Sequence, residues 1–229
     1  MDHDEAQARM QEIQRIMERA TLFTLLPGTP AIVGGLMVLA GCAVSYGMFQ
    51  SLDFADILYL SVTNQFLFCL MWFAIGMVGI VLEVVVTTRA AAKQQLVPTD
   101  RPLRVAAFSL TPSVIVAMVL TVKFLLPVNA DLLHMIRIWD FNMPLMPEAK
   151  EIQYIVPVWM MLYGTGIYTA GLFSIRPPRI LGLAFLATGI AALLLCPQYG
   201  VVSAALSFGL LHIVFGICIV WKQRQKVIS

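Results

Sequence analysis

Charge is scarce in this chain. Aspartate, glutamate, lysine and arginine make up 12% of its 229 residues, where a soluble domain carries about 25%. The net charge is only +2, which argues against nucleic acid or another polyanion as a partner. Histidine occurs three times, and only His212 lies within an apolar run. A haem held by two facing membrane histidines is therefore excluded. The four cysteines, Cys42, Cys69, Cys196 and Cys218, form no C-x-x-C pair, and H-E-x-x-H is absent. Neither a catalytic residue nor a cofactor nor a metal is expected. Alternation of apolar and polar residues over about ten positions, the mark of a membrane strand, is missing as well.

Apolar sequence is abundant, at 59% of residues. Six runs stand out, at residues 31–49, 66–86, 105–126, 154–173, 180–195 and 201–221, and they hold only two charges, Glu83 and Lys123. Crossing a bilayer takes roughly 20 apolar residues. The expected fold class is all-α, a polytopic membrane protein with six transmembrane helices over residues 27–221. The fifth run is the only short one. Residues 197–200 leave room for little more than a minimal hairpin before the sixth.

Twelve of the fifteen basic residues share one side of such a bundle. They are Arg9, Arg15 and Arg19, then Arg89, Lys93, Arg101 and Arg104, then Arg176 and Arg179, and finally Lys222, Arg224 and Lys226. The opposite loops hold Arg137 and Lys150, with Lys123 at the edge of a span. Basic residues in short loops set orientation, so both termini are expected in the cytoplasm, with 222–229 a basic tail. The first run is longer than a signal-peptide core of about 7–15 residues and should remain as a start-transfer segment.

Residues 1–26 read as a cytoplasmic amphipathic helix ended by Leu26-Pro27-Gly28-Thr29-Pro30. Ala6, Met10, Ile13, Met17 and Ala20 recur at steps of 4, 3, 4 and 3. Met10, Ile13 and Met17 are candidate partner-binding residues, facing a second copy, another protein, the chain's own cytoplasmic loop or the bilayer surface. In the long outer segment, Leu132, Leu133, Ile136 and Trp139 share the face of an interfacial helix. His134, Met135, Met143 and Met146 there form a loose soft-donor set with no fixed geometry.

Two residues in the spans invite a functional reading. His212 lies near the bilayer midplane, where an ionisable side chain is a functional candidate by default. Ala205, Gly209 and Gly216 stand 4, 3 and 4 residues apart with it, a small-residue stripe suited to close helix packing. A neutral imidazole there needs a hydrogen-bond partner on a neighbouring span, and Ser109, Thr111, Tyr163, Thr165 and Tyr168 are the candidates. Glu83 lies three residues from the end of its run, about 5 Å deep at 1.5 Å per residue, with Arg89 a possible neutralising charge. Lys123 reads as an anchor whose stem reaches water. Pro112, among Ser109, Thr111 and Ser113, reads as a kink in the third span.

A six-span chain with a histidine in the last span resembles the intramembrane serine proteases of the rhomboid type. That family has a serine between glycines where this chain has Gly164-Thr165-Gly166, so the nucleophile is missing and the protease reading fails. Met17-Glu18-Arg19-Ala20 before the first run and Leu211-His212-Ile213-Val214-Phe215-Gly216 in the last resemble a family of uncharacterised bacterial six-span membrane proteins. The resemblance implies a bacterial inner membrane and brings no activity. The leading expectation is a non-enzymatic sensor, regulatory or accessory subunit acting through helix contacts, with the lipid bilayer around it and a second copy or a partner protein at the N-terminal helix. The alternative is a small proton- or ion-coupled transporter or channel using Glu83 and His212.

Overall fold

The computed structural model describes residues 28–53, 62–93, 101–125, 149–172 and 176–228, with Glu5, Gln7, Arg9, Met10, Ile13 and Asp56. Every regular element among them is helical. The helices are α1 (Gly28–Phe49), α2 (Val62–Lys93), α3 (Arg101–Leu125), α4 (Ile155–Leu172, entered through a 3₁₀ turn at Ala149–Tyr154) and α5 (Arg176–Leu195). The last, α6, runs over residues 200–228 and contains a π-helical stretch, Ala205–Leu211.

Five helices are long and apolar enough to cross a membrane: Gly28–Phe49, Leu67–Arg89, Ile152–Leu172, Arg176–Leu195 and Gly200–Gln225. The third apolar run contributes a shorter described stretch, Phe108–Thr121, within α3. Met17, His134 and the rest of the outer interfacial segment lie outside the described residues.

Several helix bounds differ from the apolar runs, each for a local reason. Pro30 was expected to break the chain before the membrane, yet it sits in the first turn of α1. A proline is tolerated there because its missing N–H would have no partner anyway. Pro177 and Pro178 play the same part in α5, which starts four residues ahead of its apolar run and gains full spanning length. At the other end of α2, Thr88 donates to the Val84 carbonyl at 2.7 Å, and the helix continues beyond the apolar residues to Lys93. The end of α1 is closed by Gln50, at φ 53°, whose N–H donates to the Tyr46 carbonyl at 2.8 Å. That left-handed residue is an ordinary helix stop. Just beyond it, the Leu52 carbonyl accepts from the Val201 N–H at 3.1 Å, fixing where α6 begins.

Backbone contacts between glycines set the packing. A Cβ on Gly35 would lie 2.6 Å from the Gly209 carbonyl oxygen, and Gly28 meets Gly216 in the same way two turns along. Thus α1 and α6 touch backbone to backbone. On α4 and α5, a Cβ on Gly164 would lie 2.8 Å from the Gly182 carbonyl oxygen. Arg179 ties the end of that pair by donating from Nε to the Gly171 carbonyl at 2.7 Å. α3 leans on α4, where Trp159 Nε1 donates to Thr121 Oγ1 at 2.7 Å. α2 is the outlier, packing mainly on α1 through Trp72 and Ile75 beside Gly41.

Small residues at such contacts admit the van der Waals packing that holds helices together in lipid. Gly35→Leu should therefore lower stability in nanodiscs by roughly 1–3 kcal/mol or more through overpacking. Gly34→Ala, whose added Cβ would meet nothing within 4 Å, should leave the melting temperature unchanged. Equal losses from the two variants would refute the glycine contact as the determinant.

Candidate functional site: the His212–Tyr163 pair and the Glu83 face

His212 opens the α-helical part of α6 directly after the π-helical stretch. It stands twelve residues after Gly200 and thirteen before Gln225, near the middle of its span. Tyr163 stands eleven residues after Ile152 and nine before Leu172, near the middle of α4's span. The Tyr163 hydroxyl and His212 Nε2 are 2.7 Å apart. Of the five hydroxyls the sequence offered, this is the one bonded to His212.

Aromatic rings close around the pair. Phe185, fully buried on α5, meets the imidazole edge-on at 5.2 Å and the Tyr163 ring at 5.0 Å. Phe208, one turn back on α6, stacks on the imidazole at 6.1 Å with 16° between the planes. Such pairs add about 0.5–1.5 kcal/mol each beyond the area they bury. The cluster therefore holds His212 in a single orientation.

The other ring nitrogen, Nδ1, is buried and has no hydrogen-bond partner among the described residues. With the proton on Nδ1, Nε2 accepts from Tyr163 O–H; with the proton on Nε2, the phenolic oxygen accepts instead. The π-helical stretch lies just before the ring, and there Ser207 Oγ donates to the Ser203 carbonyl at 2.6 Å. A serine that takes the i−4 carbonyl competes with the backbone N–H that would use it in an α-helix.

The expected stripe on α6 is divided between neighbours. Gly209 and Gly216 pack on α1, with Leu39 and Ile32 against them, whereas His212 turns to α4 and α5. Ala205 borders the buried core.

Glu83 lies deeper than its apolar run suggested. The span of α2 reaches Arg89, six residues on, so Glu83 is about 9 Å from that end at 1.5 Å per residue. Arg89 does not neutralise it. Six residues turn about 240° around a helix axis, so the two side chains point apart. Glu83 instead accepts from Thr87 Oγ1 at 3.3 Å on its own helix. It is exposed.

One feature of α2 escaped the sequence reading. Trp72, Gly76, Gly79 and Glu83 are spaced 4, 3 and 4, as Ala205, Gly209, His212 and Gly216 are, so they share one face. That repeated spacing was the signal. Trp72 packs at the top of the face, while a Cβ on Gly76 or Gly79 would meet nothing within 4 Å. The face is thus closed at Trp72 and open toward Glu83.

At the N-terminal end, Arg9 pairs with Glu5 at 2.7 Å, one turn apart. Met10 and Ile13 are 69% and 57% exposed, so no described part of the chain covers them. The four cysteines are free thiols, and no group of three or more metal-binding His, Cys, Asp or Glu forms among the described residues.

These features define a class: an all-helical protein with five helices long and apolar enough to cross a membrane, carrying a midspan histidine–tyrosine pair. Comparison with protein-family models, curated proteins and solved structures found no match.

Replacing His212 with Phe keeps the aromatic packing and strands the Tyr163 hydroxyl, at a cost of roughly 1–3 kcal/mol. The double variant His212→Phe with Tyr163→Phe removes both partners and should recover most of that loss, since paired removal is close to neutral. Strictly additive losses in thermal unfolding would show that the 2.7 Å contact contributes nothing to stability.

Proposed function

We propose that the chain is a six-span protein of the bacterial inner membrane, with both termini cytoplasmic, α3 as the remaining span and an amphipathic N-terminal helix. It works without covalent chemistry, as a sensor, regulatory or accessory subunit acting through helix contacts. The observation that carries this reading is the bare face at Met10 and Ile13. Burying one large apolar side chain is favourable by about 1.5–3 kcal/mol, so a stripe left open by the described residues favours docking on something else. Its test is a photo-reactive residue at position 10 or 13 in intact cells. A discrete adduct, lost in the Ile13→Glu variant, is expected; no adduct at either position would overturn the reading. Reporter fusions at Ser229 and within residues 127–148 check the topology, and an active cytoplasmic reporter in the outer segment would refute it.

A second reading, a small proton- or cation-coupled transporter, is favoured by one specific observation. Glu83 and His212 both lie within spans, and ionisable groups within spans mark ion and proton pathways. Proteoliposomes holding the wild-type chain should then dissipate an imposed proton gradient faster than empty liposomes. Glu83→Gln should cut the excess rate at least tenfold. A wild-type rate equal to that of empty liposomes would refute transport of protons.

A further inference from the structure

The exposed face at Met10 and Ile13 belongs to a longer pattern, and that pattern has the shape of its occupant. Glu5, Gln7, Arg9, Met10 and Ile13 are helical and exposed. In the sequence, Ala6, Met10, Ile13, Met17 and Ala20 keep steps of 4, 3, 4 and 3. That is a period of 3.5 residues, the heptad repeat of a left-handed coiled coil. Met10 and Met17 take position a, and Ala6, Ile13 and Ala20 take position d. A seam of two positions in seven is narrow. It matches the width of one further helix.

Charge decides between occupants. Residues 1–20 hold five acids, Asp2, Asp4, Glu5, Glu12 and Glu18, against Arg9, Arg15 and Arg19. A helix lying on an anionic bilayer carries a basic polar face, so this one suits a protein surface instead. Asp4, Glu5, Glu12 and Glu18 all stand at positions b or c, away from the seam. In a parallel pair, each g position faces the e position of the next heptad on the partner. The facing pairs are then Asp2 with Gln7, Arg9 with Gln14, and Ile16 with Thr21. No like charges meet. Arg9 is also paired with Glu5 of its own helix at 2.7 Å. Helices of different sequence select one another through charged e and g positions, and here every e position is neutral. An identical helix meets no repulsion across the seam.

We infer that a second copy of the chain covers this face, the two N-terminal helices pairing in parallel along the Met10–Ile13–Met17 seam. The inference rests on the helix-contact reading of function and names its partner. Copies inserted the same way in one membrane are related by a two-fold axis along its normal, which sets the two helices parallel. The seam is short and two of its d positions are alanine, so free helices of this length would pair weakly. Holding both at one membrane surface removes much of the freedom that pairing otherwise costs. α1 begins at Gly28, eight residues after Ala20, which keeps the seam close to the bilayer.

The test uses the full chain, purified in two epitope-tagged forms and mixed in liposomes, with a photo-reactive residue at position 10. Illumination should give an adduct of two chains that carries both tags. Ile13→Glu in both forms should cut its yield by about tenfold or more, because a carboxylate cannot enter the seam unpaired. Position 14 reports the register. Gln14→Glu, facing Arg9, should raise the yield and Gln14→Lys should lower it, each by about threefold. Adducts of single-chain mass alone, or equal yields from Gln14→Glu and Gln14→Lys, overturn the inference. In intact cells, an adduct formed only with a different protein overturns the second copy and leaves the helix-contact reading standing. No adduct from position 10 or 13 overturns both.

Discussion

The position of every other element depends on how closely two pairs of helices approach. Between α1 and α6 the Gly35 and Gly209 backbones touch, and between α4 and α5 those of Gly164 and Gly182 do. In lipid there is no hydrophobic drive to bring helices together, since acyl chains are as apolar as leucine. Packing and internal hydrogen bonds must serve, and both weaken quickly with distance. Removing side chains at the contact is the simplest way to shorten it. The consequence for the site is direct. Gly164 adjoins Tyr163, and Gly209 lies three residues before His212, so the 2.7 Å bond is bracketed by two close backbone contacts.

The aromatic cluster follows from the same constraint. With α4 drawn onto α5, a Cβ on Gly164 would lie 2.8 Å from the Cβ of Phe185, whose ring has nowhere to go but between Tyr163 and His212. Phe208 closes the fourth side from within α6. A buried polar pair in such surroundings is worth keeping only if both partners are satisfied, because a stranded donor or acceptor there is costly. Tyr163 and His212 Nε2 meet that condition. Nδ1 is buried and has no hydrogen-bond partner among the described residues.

α2 obeys a different rule. It carries Glu83 within its span, and its close contact with α1 is made by side chains, Ile75 and Trp72 against Gly41.

The sequence by itself determined which segments are helical and apolar, and the depth of His212, because hydropathy and length are local properties. It also placed a hydroxyl partner for His212 on a short candidate list, since the need for one follows from burial alone. It misjudged bounds where prolines and threonines extend helices: Pro30, Pro177 and Pro178 sit inside first turns, and Thr88 satisfies itself against Val84. Only the tertiary structure decided that Tyr163 is the partner and that α2 packs on α1 through Trp72 and Ile75. These are relations between helices. A stripe of residues fixes a face of one helix, but the angle of that face to its neighbours is set where backbones touch, and nothing in a single helix's periodicity encodes it.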